Sequence, residues 1–346
     1  MASPDSNLGI NRFAWFTAAA TLFLICSGGM VTSKGVGLAV PDWPTTFGYN
    51  MFLFPFSKWV GGIFFEHAHR LIASAVGFLT IILAIWLWRG DRRRWMHVLG
   101  FAAVGAVILQ GVLGGLRVRM LKDEIGIFHA CLAQAFFGLL IVIAVATSRS
   151  WTRLLTSVPR DRLGRIGRIA IATAIAVYIQ LALGATMRHQ HRDLAILDFP
   201  TANGQWIPDT SSGAIASINQ WRDTQGLSDV TSFQIWLQMV HRFGAVAVAI
   251  AVFSLWRAVR RANATNPALG RLSNILVLLL LCQIGLGAWT IWSNKAADVA
   301  TAHVAVGASI FALTIAMCAF TYRLRWMDTP ASEFSSTPVD RIAVAS

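Results

Sequence analysis

Long apolar stretches separated by short polar segments run along nearly the whole chain. Each stretch is about 20 residues or longer, which is the length that an α-helix needs to cross a hydrocarbon layer about 30 Å thick. The pattern predicts eight membrane-spanning helices. They lie near residues 13–33, 65–88, 96–118, 125–147, 166–187, 233–258, 269–292 and 299–322. The tail 327–346 is polar and rich in small residues, so we expect it to be disordered.

The composition agrees with a chain that lies in a bilayer. Of the 346 residues, 55% are hydrophobic and 13% are charged, against about 25% charged in ordinary soluble domains. A water-soluble fold is therefore excluded. The net charge of +13 does not indicate nucleic-acid binding, because the basic residues lie in short segments without interleaved aromatic residues.

The arginines indicate how the helices are oriented. The segments after the second, fourth and sixth predicted helices, together with the two chain ends, hold most of the 29 Lys and Arg residues. By the positive-inside rule, these segments and both termini lie in the cytoplasm. The long segments 34–64 and 188–232 then lie outside as structured interfacial loops. Without a transit-peptide pattern, we expect a multi-pass protein of a bacterial cytoplasmic membrane.

The chain contains an internal repeat. LAVPDWPT at 38–45 matches LAILDFPT at 194–201. Farther along, His69-Arg70 matches His241-Arg242, QGVLG at 110–114 matches QIGLG at 283–287, and His129 matches His303. We therefore predict an all-α membrane protein of two tandem four-helix bundles, residues 1–150 and 151–326, related by a pseudo-twofold axis along the membrane normal.

Each half carries two histidines near one end of its predicted helices, His69 with His129 and His241 with His303. An ionisable residue inside a bilayer is costly and needs a partner. Neutral imidazoles from two facing helices can supply both axial ligands of a haem iron, so we expect one haem site in each half. A hydrogen bond to a neighbouring helix is the alternative, and zinc fits less well because neither half offers further clear ligands.

The two halves differ at Glu66, whose counterpart is Gln238. Glu66 shares a helix face with His69, and its carboxylate can exchange a proton, which glutamine cannot. We therefore predict chemistry in the first half, with Glu66 as the acid–base group, and a bound but unreacting haem in the second. A salt bridge between Glu66 and Arg70 is an alternative that is compatible with catalysis.

Arg70 and Arg242 directly follow two of the histidines, and we predict that they contact haem propionates. The alternative is that they extend toward the membrane interface. His67, whose counterpart is Met239, is a candidate supporting residue behind the site.

His189 and His191, in the segment RHQHR, suggest a metal clip, but we favour an interfacial basic cluster. The cysteines lie within apolar stretches, where neither a metal site nor a disulfide is expected, and we predict that they are packing residues. They are Cys26, Cys131, Cys282 and Cys318.

Together these features resemble the heme A synthase family. The resemblance extends from about residue 11 to residue 325. It rests on GGMVTSKGVGLAVPDWPT at 28–45, EHAHR at 66–70, QGVLGG at 110–115, VHR at 240–242, QIGLG at 283–287, and the histidines at 129 and 303. It implies an enzyme that oxidises the C8 methyl of heme O to a formyl group, making heme A for aa3-type terminal oxidases.

Position by position, the resemblance implies that His69 and His129 flank the substrate haem, that His241 and His303 ligate a haem b cofactor, and that Glu66 is catalytic. It also implies heme O synthase, oxidase assembly factors, an electron acceptor and membrane lipid as partners. Many members of the family carry a cysteine pair in an outer loop, which this chain lacks, so it resembles a cysteine-free subgroup.

Two other functions stay open from the sequence. A dihaem b-type electron-transfer cytochrome needs the same four histidines but gives no reason for a carboxylate at one site alone. A haem transporter would explain the parallel repeat but needs no permanent ligation by two histidines.

Overall fold

The computed structural model describes residues 8–149, 151, 160–190, 194–262 and 267–326. Eight helices in these residues are long and apolar enough to cross a membrane, which confirms the predicted all-α membrane fold. The predicted tail 327–346 and His191 lie outside the described residues. The helices are α1 Leu8–Ser33, α2 Gly61–Gly90, α3 Arg94–Met120, α4 Asp123–Ala146, α5 Arg160–Gln190, α6 Ser212–Thr224, α7 Ser232–Arg261, α8 Pro267–Trp292 and α9 Ala297–Trp326.

Most of the spanning helices extend a few residues beyond the predicted apolar stretches. Hydropathy marks the part of a helix that lies in hydrocarbon, whereas the backbone hydrogen bonds continue into the polar interface. α2, for example, begins at Gly61 and ends at Gly90, although the apolar pattern predicts residues 65–88. The structure therefore changes the ends of the predicted helices and leaves their number and order as expected.

The helices of each half contact one another in a closed ring. α1 packs on α2, α2 on α3, α3 on α4 and α4 on α1, and the second half repeats this order with α5, α7, α8 and α9. Across the halves, α1 contacts α9, α4 contacts α5, and α4 packs on α9. This arrangement is consistent with the predicted pair of tandem four-helix bundles. In each ring the second and fourth helices face each other across the centre.

The two halves are joined by close van der Waals packing. In lipid the hydrophobic effect does little to drive helices together, so this packing stabilises the contact. Gly138 on α4 lets the ring of Phe311 on α9 approach so closely that an added Cβ would lie 3.0 Å from its Cε1 atom. Fully buried residues such as Leu140 and Ile143 continue the contact along α4. Many large apolar side chains point outward instead, among them Phe16 and Phe101, as expected for a surface in contact with lipid.

The four cysteines have free side chains. Cys26, Cys131 and Cys318 are partly buried between helices, but Cys282 is exposed on α8. The prediction of a packing role is therefore wrong for Cys282, since an apolar stretch has a lipid-facing side as well as a packed one and the hydropathy of the stretch does not separate them.

The first long loop, residues 34–60, folds around the carboxylate of Asp42. This carboxylate accepts hydrogen bonds from the backbone N–H groups of Phe47 and Gly48, at 2.7 and 2.8 Å, and from the Thr45 hydroxyl at 2.5 Å. Gly48 has a φ of 77°, a conformation that glycine adopts without steric cost. The turn therefore depends on the Asp and Thr of the sequence DWPT.

The second long loop, described over residues 194–231, repeats this turn around Asp198. Its carboxylate accepts hydrogen bonds from the backbone N–H groups of Asn203 and Gly204, at 2.7 and 3.0 Å, and from the Thr201 hydroxyl at 2.6 Å. Partial burial opposes ionisation of Asp42 and Asp198, but these hydrogen bonds outweigh it and hold the pKa of each carboxyl below its usual value. Each turn is therefore stabilised above about pH 3.8 and loses that contribution on acidification through the lowered pKa.

The second long loop also contains α6, which the sequence analysis did not predict. This helix is short and mostly polar, so it gives no membrane-spanning signal. Ser211 caps its N-terminus, because the Ser211 hydroxyl accepts a hydrogen bond from the Ala214 N–H. It carries Arg222, only 1% exposed, which donates to the carbonyl oxygens of Ser228 and Leu194 at 2.7 and 3.0 Å. The guanidinium thus ties α6 to the start of the loop.

Replacing Asp198 by Ala should loosen the second turn without unfolding the helices. Removal of a charged acceptor of three hydrogen bonds should cost about 1–3 kcal/mol locally. Amide hydrogen exchange at Asn203 and Gly204 should therefore accelerate about tenfold or more. The exposed Asp223 on α6 provides the matched control, Asp223→Ala. Unchanged exchange in Asp198→Ala would show that the carboxylate does not hold the turn.

Candidate functional site

A cavity of about 1100 Å³ opens between the helices, on the side of the molecule that carries the two long loops. Its volume exceeds the range of about 300–1,000 Å³ that is usual for the site of one small ligand. Residues of both halves line it, and the four predicted histidines are all in its wall: His69, His129, His241 and His303. The structure therefore brings together the residues that the sequence analysis proposed as ligands.

Each of these histidines lies against a glycine of the preceding membrane-spanning helix. An added Cβ would lie 3.0 Å from Cε1 of His69 at Gly28, 3.5 Å from that of His129 at Gly114, 3.3 Å from that of His241 at Gly184, and 3.2 Å from that of His303 at Gly287. The missing side chains let the helices approach and fix the imidazoles in the same register in both halves. This is the packing role of the repeated glycines.

The imidazoles have unused hydrogen-bonding capacity. Nδ1 of His69, His129 and His303 is buried without a hydrogen-bond partner in the described part of the chain. Within each half, the two imidazoles lie on the facing second and fourth helices and line the same cavity, His69 with His129 and His241 with His303.

This donor set fits haem iron, which brings four equatorial ligands of its own and needs two axial nitrogens. Across residues 8–326, apart from the segments that are not described, no group of three or more His, Cys, Asp or Glu side chains is placed to hold a bare metal ion. The mostly apolar cavity wall also suits a large planar macrocycle. The residues present thus fit a haem in each half.

Glu66 is 4% exposed and lies in the wall of the same cavity. Its Oε1 atom accepts a hydrogen bond from Arg70 Nη2 at 2.7 Å, and its Oε2 atom accepts one from the Val40 N–H at 2.9 Å. Arg70 also donates to the carbonyl oxygens of Val40 and Asp42, at 2.9 and 2.7 Å. The alternative salt bridge is therefore present within α2. The other hydrogen bonds of the same two side chains connect α2 to the first long loop.

The second half makes the same connection without a carboxylate. Gln238 accepts from the Ile196 N–H and donates to the Ile196 carbonyl, both at 2.9 Å. Arg242 donates to the carbonyl oxygens of Asp198 and Thr201, at 2.6 and 2.8 Å. Both arginines lie in the cavity wall, where they hold the long loops. Their contact with haem propionates stays a prediction.

His67 points away from the cavity. It is fully buried beneath the first long loop, where its Nδ1 atom lies 3.2 Å from the Thr46 hydroxyl oxygen. Its ring packs against the rings of Phe54 and Trp59, with centroids 5.0 and 4.7 Å away. His67 therefore packs under the first long loop and stabilises it.

His189 reaches the cavity from the other half of the chain. It lies at the end of α5, yet an added Cβ at Gly126 on α4 would lie 2.7 Å from its Nδ1 atom. Arg117 and Arg188 line the same part of the cavity, and Arg188 donates to the Gly29 carbonyl of α1 at 2.8 Å. The basic cluster predicted around His189 therefore lies in the cavity wall as well as near the loops. Repeat matching missed these contacts because they join α5 to α1 and α4.

The chain is similar to known proteins over most of its length. The family model COX15-CtaA, described as cytochrome oxidase assembly protein, matches residues 49–315, a range that includes Glu66 and the four cavity histidines. The heme A synthase of Shouchella clausii is 32% identical over 255 residues, which are 71% of this chain and 81% of that protein.

Two further relatives extend this similarity. The heme A synthase of Rhizorhabdus wittichii is 29% identical over 257 residues, 72% of this chain and 69% of that protein. The heme A synthase of Geobacillus kaustophilus is 24% identical over 340 residues, 93% of this chain and 95% of that protein.

Replacing Gly287 by Ala should disturb the second histidine pair. The new methyl group would meet His303 Cε1 at 3.2 Å, so the ring must move by a few tenths of an ångström. We expect a lower content of low-spin haem in the purified protein, measured by its absorption spectrum. Gly285→Ala is the control, because a Cβ there meets no atom within 4 Å. Equal spectra for the two variants would contradict the proposed packing of the ring.

Proposed function

Because this chain belongs to the COX15-CtaA family of cytochrome oxidase assembly proteins, we propose that it is a heme A synthase. It oxidises the C8 methyl of heme O to a formyl group, and heme A is the product. The observation that carries the proposal is the asymmetry of one cavity. Both halves present a pair of histidines, but only the first half adds a buried carboxylate, Glu66, where the second has Gln238.

Heme O binds in the first half between His69 and His129, which hold its iron from the facing helices α2 and α4. Conversion of a methyl to a formyl group takes two successive two-electron oxidations. In each one, an oxygen atom from water is added to the carbon, two electrons pass to the external electron acceptor and two protons are released. The first gives an alcohol, and the second gives a geminal diol that loses water to leave the formyl group. Both oxidations release protons. Glu66 lies in the wall of this site and accepts them, since a positioned carboxylate can act as a general base.

In the second half, His241 and His303 would hold a haem b cofactor. When bound there, this group supplies reversible one-electron chemistry. The chain itself orients the two imidazoles with Gly184 and Gly287, and it supplies no proton-exchanging carboxylate at the position of Gln238. The second site thus keeps its haem as a redox group and does not oxidise the haem's side groups.

The protein is a multi-pass membrane protein, and we assign it to the bacterial cytoplasmic membrane with both termini inside. The arginine-rich segments at one end of the helices support this orientation. The cavity then opens toward the outer face, beneath the two long loops. Its partners are heme O synthase, which supplies the substrate, oxidase assembly factors, which take the product, and an external electron acceptor.

A dihaem cytochrome is the competing function, because the four histidines fit it equally well. Extraction of the pigments from the purified protein separates the two. Heme O or heme A beside haem b supports the enzyme, whereas protohaem in both sites supports the cytochrome. A haem transporter would lack a stable low-spin haem after purification.

Replacing His241 or His303 by Ala should deplete haem b while the first half still binds substrate. The reason is that the two ligands of each site come from the same half. The content of haem b is measured by extraction and by the low-spin spectrum, with His69→Ala as the reciprocal variant that should deplete heme O. Haem b that survives the loss of either second-half histidine would contradict the assignment.

Glu66→Gln should stop catalysis and leave the fold intact. The second half shows how a glutamine fits here, because Gln238 bonds both backbone groups of Ile196 and Arg242 is held by carbonyl oxygens without a carboxylate. We expect heme A formation to fall about 10²–10⁴-fold, with heme O or a partly oxidised haem accumulating.

The matched control is Glu124→Gln, because Glu124 is an exposed glutamate at the start of α4. Haem b should be retained in both variants. Near-normal heme A formation in Glu66→Gln would exclude Glu66 as the acid–base group.

A further inference from the structure

We propose that Gln180 is a positioning residue that makes the second histidine pair a permanent haem site, and that Leu24 at the equivalent position leaves the first pair free to exchange its haem. The inference rests on the proposed function, in which the first-half haem is a substrate that must leave as product. One pair of equivalent positions, on α1 and α5, then decides whether a haem is retained as a cofactor or released as a product.

Gln180 lies on α5 in the cavity wall, beside His241 of α7. Its Nε2 atom is 3.2 Å from His241 Nδ1 and donates to the His241 carbonyl oxygen at 2.8 Å. An imidazole that binds iron through Nε2 carries its proton on Nδ1, which then needs an acceptor. The Oε1 atom of Gln180 is buried without a hydrogen-bond partner in the described residues, and it accepts that proton when the amide turns over and gives up its bond to the His241 carbonyl. The ring of His241 is thereby fixed from the side opposite Nε2.

The equivalent position in the first half is Leu24. Alignment of LAVPDWPT with LAILDFPT, continued back without a gap, sets Gly28 opposite Gly184 and Leu24 opposite Gln180. The structure supports this register, because Gly28 lies against His69 as Gly184 lies against His241. Leu24 also lines the cavity.

The consequence is visible at the histidine. His69 Nδ1 is buried and has no hydrogen-bond partner among the residues that the structure describes. A leucine offers it neither donor nor acceptor. The two halves thus differ in whether the nitrogen opposite the iron-binding Nε2 is held.

The other histidine of each pair has a glutamine neighbour in both halves, although the atom that the glutamine contacts differs. Gln110 donates to the His129 carbonyl at 3.0 Å, and its repeat counterpart Gln283 lies 3.4 Å from His303 Nε2. A glutamine is therefore present beside the fourth helix in both halves. The exchange of a glutamine for an apolar residue is confined to the first helix of each half, which contacts the histidine of the second helix.

Such a contact has a known physical effect on metal binding. A hydrogen bond to the far nitrogen of a ligating histidine fixes the ring and raises its basicity, and its loss costs about 10–100-fold in metal affinity. A cofactor site gains from this, whereas a site that must release its product does not. The distribution of Gln180 and Leu24 matches these two needs.

The test exchanges the two residues in the full-length protein. Gln180→Leu makes the second half copy the first, and Leu24→Gln makes the reciprocal change. The rate at which haem leaves each variant is measured by transfer to excess apomyoglobin, with haem b and heme O distinguished by extraction. We expect about 10–100-fold faster loss of haem b from Gln180→Leu, and slower loss of heme O from Leu24→Gln.

A redox titration adds a readout that a change in packing alone would not move. A less basic axial ligand favours the reduced iron, so the midpoint potential of the second-half haem should rise in Gln180→Leu. Gln134→Leu is the matched control, because Gln134 lines the same cavity on α4 and makes no hydrogen bond to a histidine in the described residues.

Unchanged haem b release and an unchanged potential in Gln180→Leu would overturn the inference, as would equal effects from Gln134→Leu. Failure of the proposed function looks different. Protohaem in both sites of the unsubstituted protein would exclude the synthase and would still leave the effect of Gln180 on haem b release measurable.

Discussion

An imidazole inside a bilayer needs a partner, and this one requirement explains much of the structure. Water cannot solvate the ring there, so its nitrogens must meet protein groups or a metal. Four histidines of this chain face one cavity, and each is set in place by a glycine on a neighbouring helix. The helix rings, the repeated glycines and the apolar cavity wall therefore place two pairs of imidazoles around one space, an arrangement that fits the proposed haems. Haem satisfies that geometry in both halves.

Duplication provides this geometry twice, and divergence at a few positions gives the two copies different work. The scaffold residues stay equivalent: Asp42 and Asp198 organise the loop turns, and Arg70 and Arg242 hold those loops to the helices. The differences concern chemistry. The first half has the carboxylate of Glu66 where the second half has Gln238. It has Leu24 where the second half has Gln180, at the contact with the histidine of the second helix. A duplicated scaffold can tolerate such changes because neither alters the packing of the helices.

Much of this could be predicted from the sequence, because hydropathy and the repeat report directly on what lipid and duplication impose. The eight spans, the four histidines and the pairing of Glu66 with Arg70 all follow from residues close in sequence or equal in the two halves. What was missed depends on contacts without such a signal. Helix α6 is polar and short, and His189 meets Gly126 across the boundary between the halves. The exposure of Cys282 likewise depends on which side of α8 faces lipid.

The salt bridge raises the question of how one carboxylate can both hold a loop and exchange protons. Both Glu66 oxygens accept hydrogen bonds, so proton exchange must interrupt one of them. The bond to Arg70 is charge-assisted and is the stronger, which makes the contact with the Val40 N–H the easier one to release. Loss of either leaves the loop attached, because Arg70 also binds carbonyl oxygens of the loop, as Arg242 does in the half that has no carboxylate. Loop attachment and the proposed proton exchange are therefore separable, so that a structural arginine and the carboxylate proposed to react can share one turn of helix.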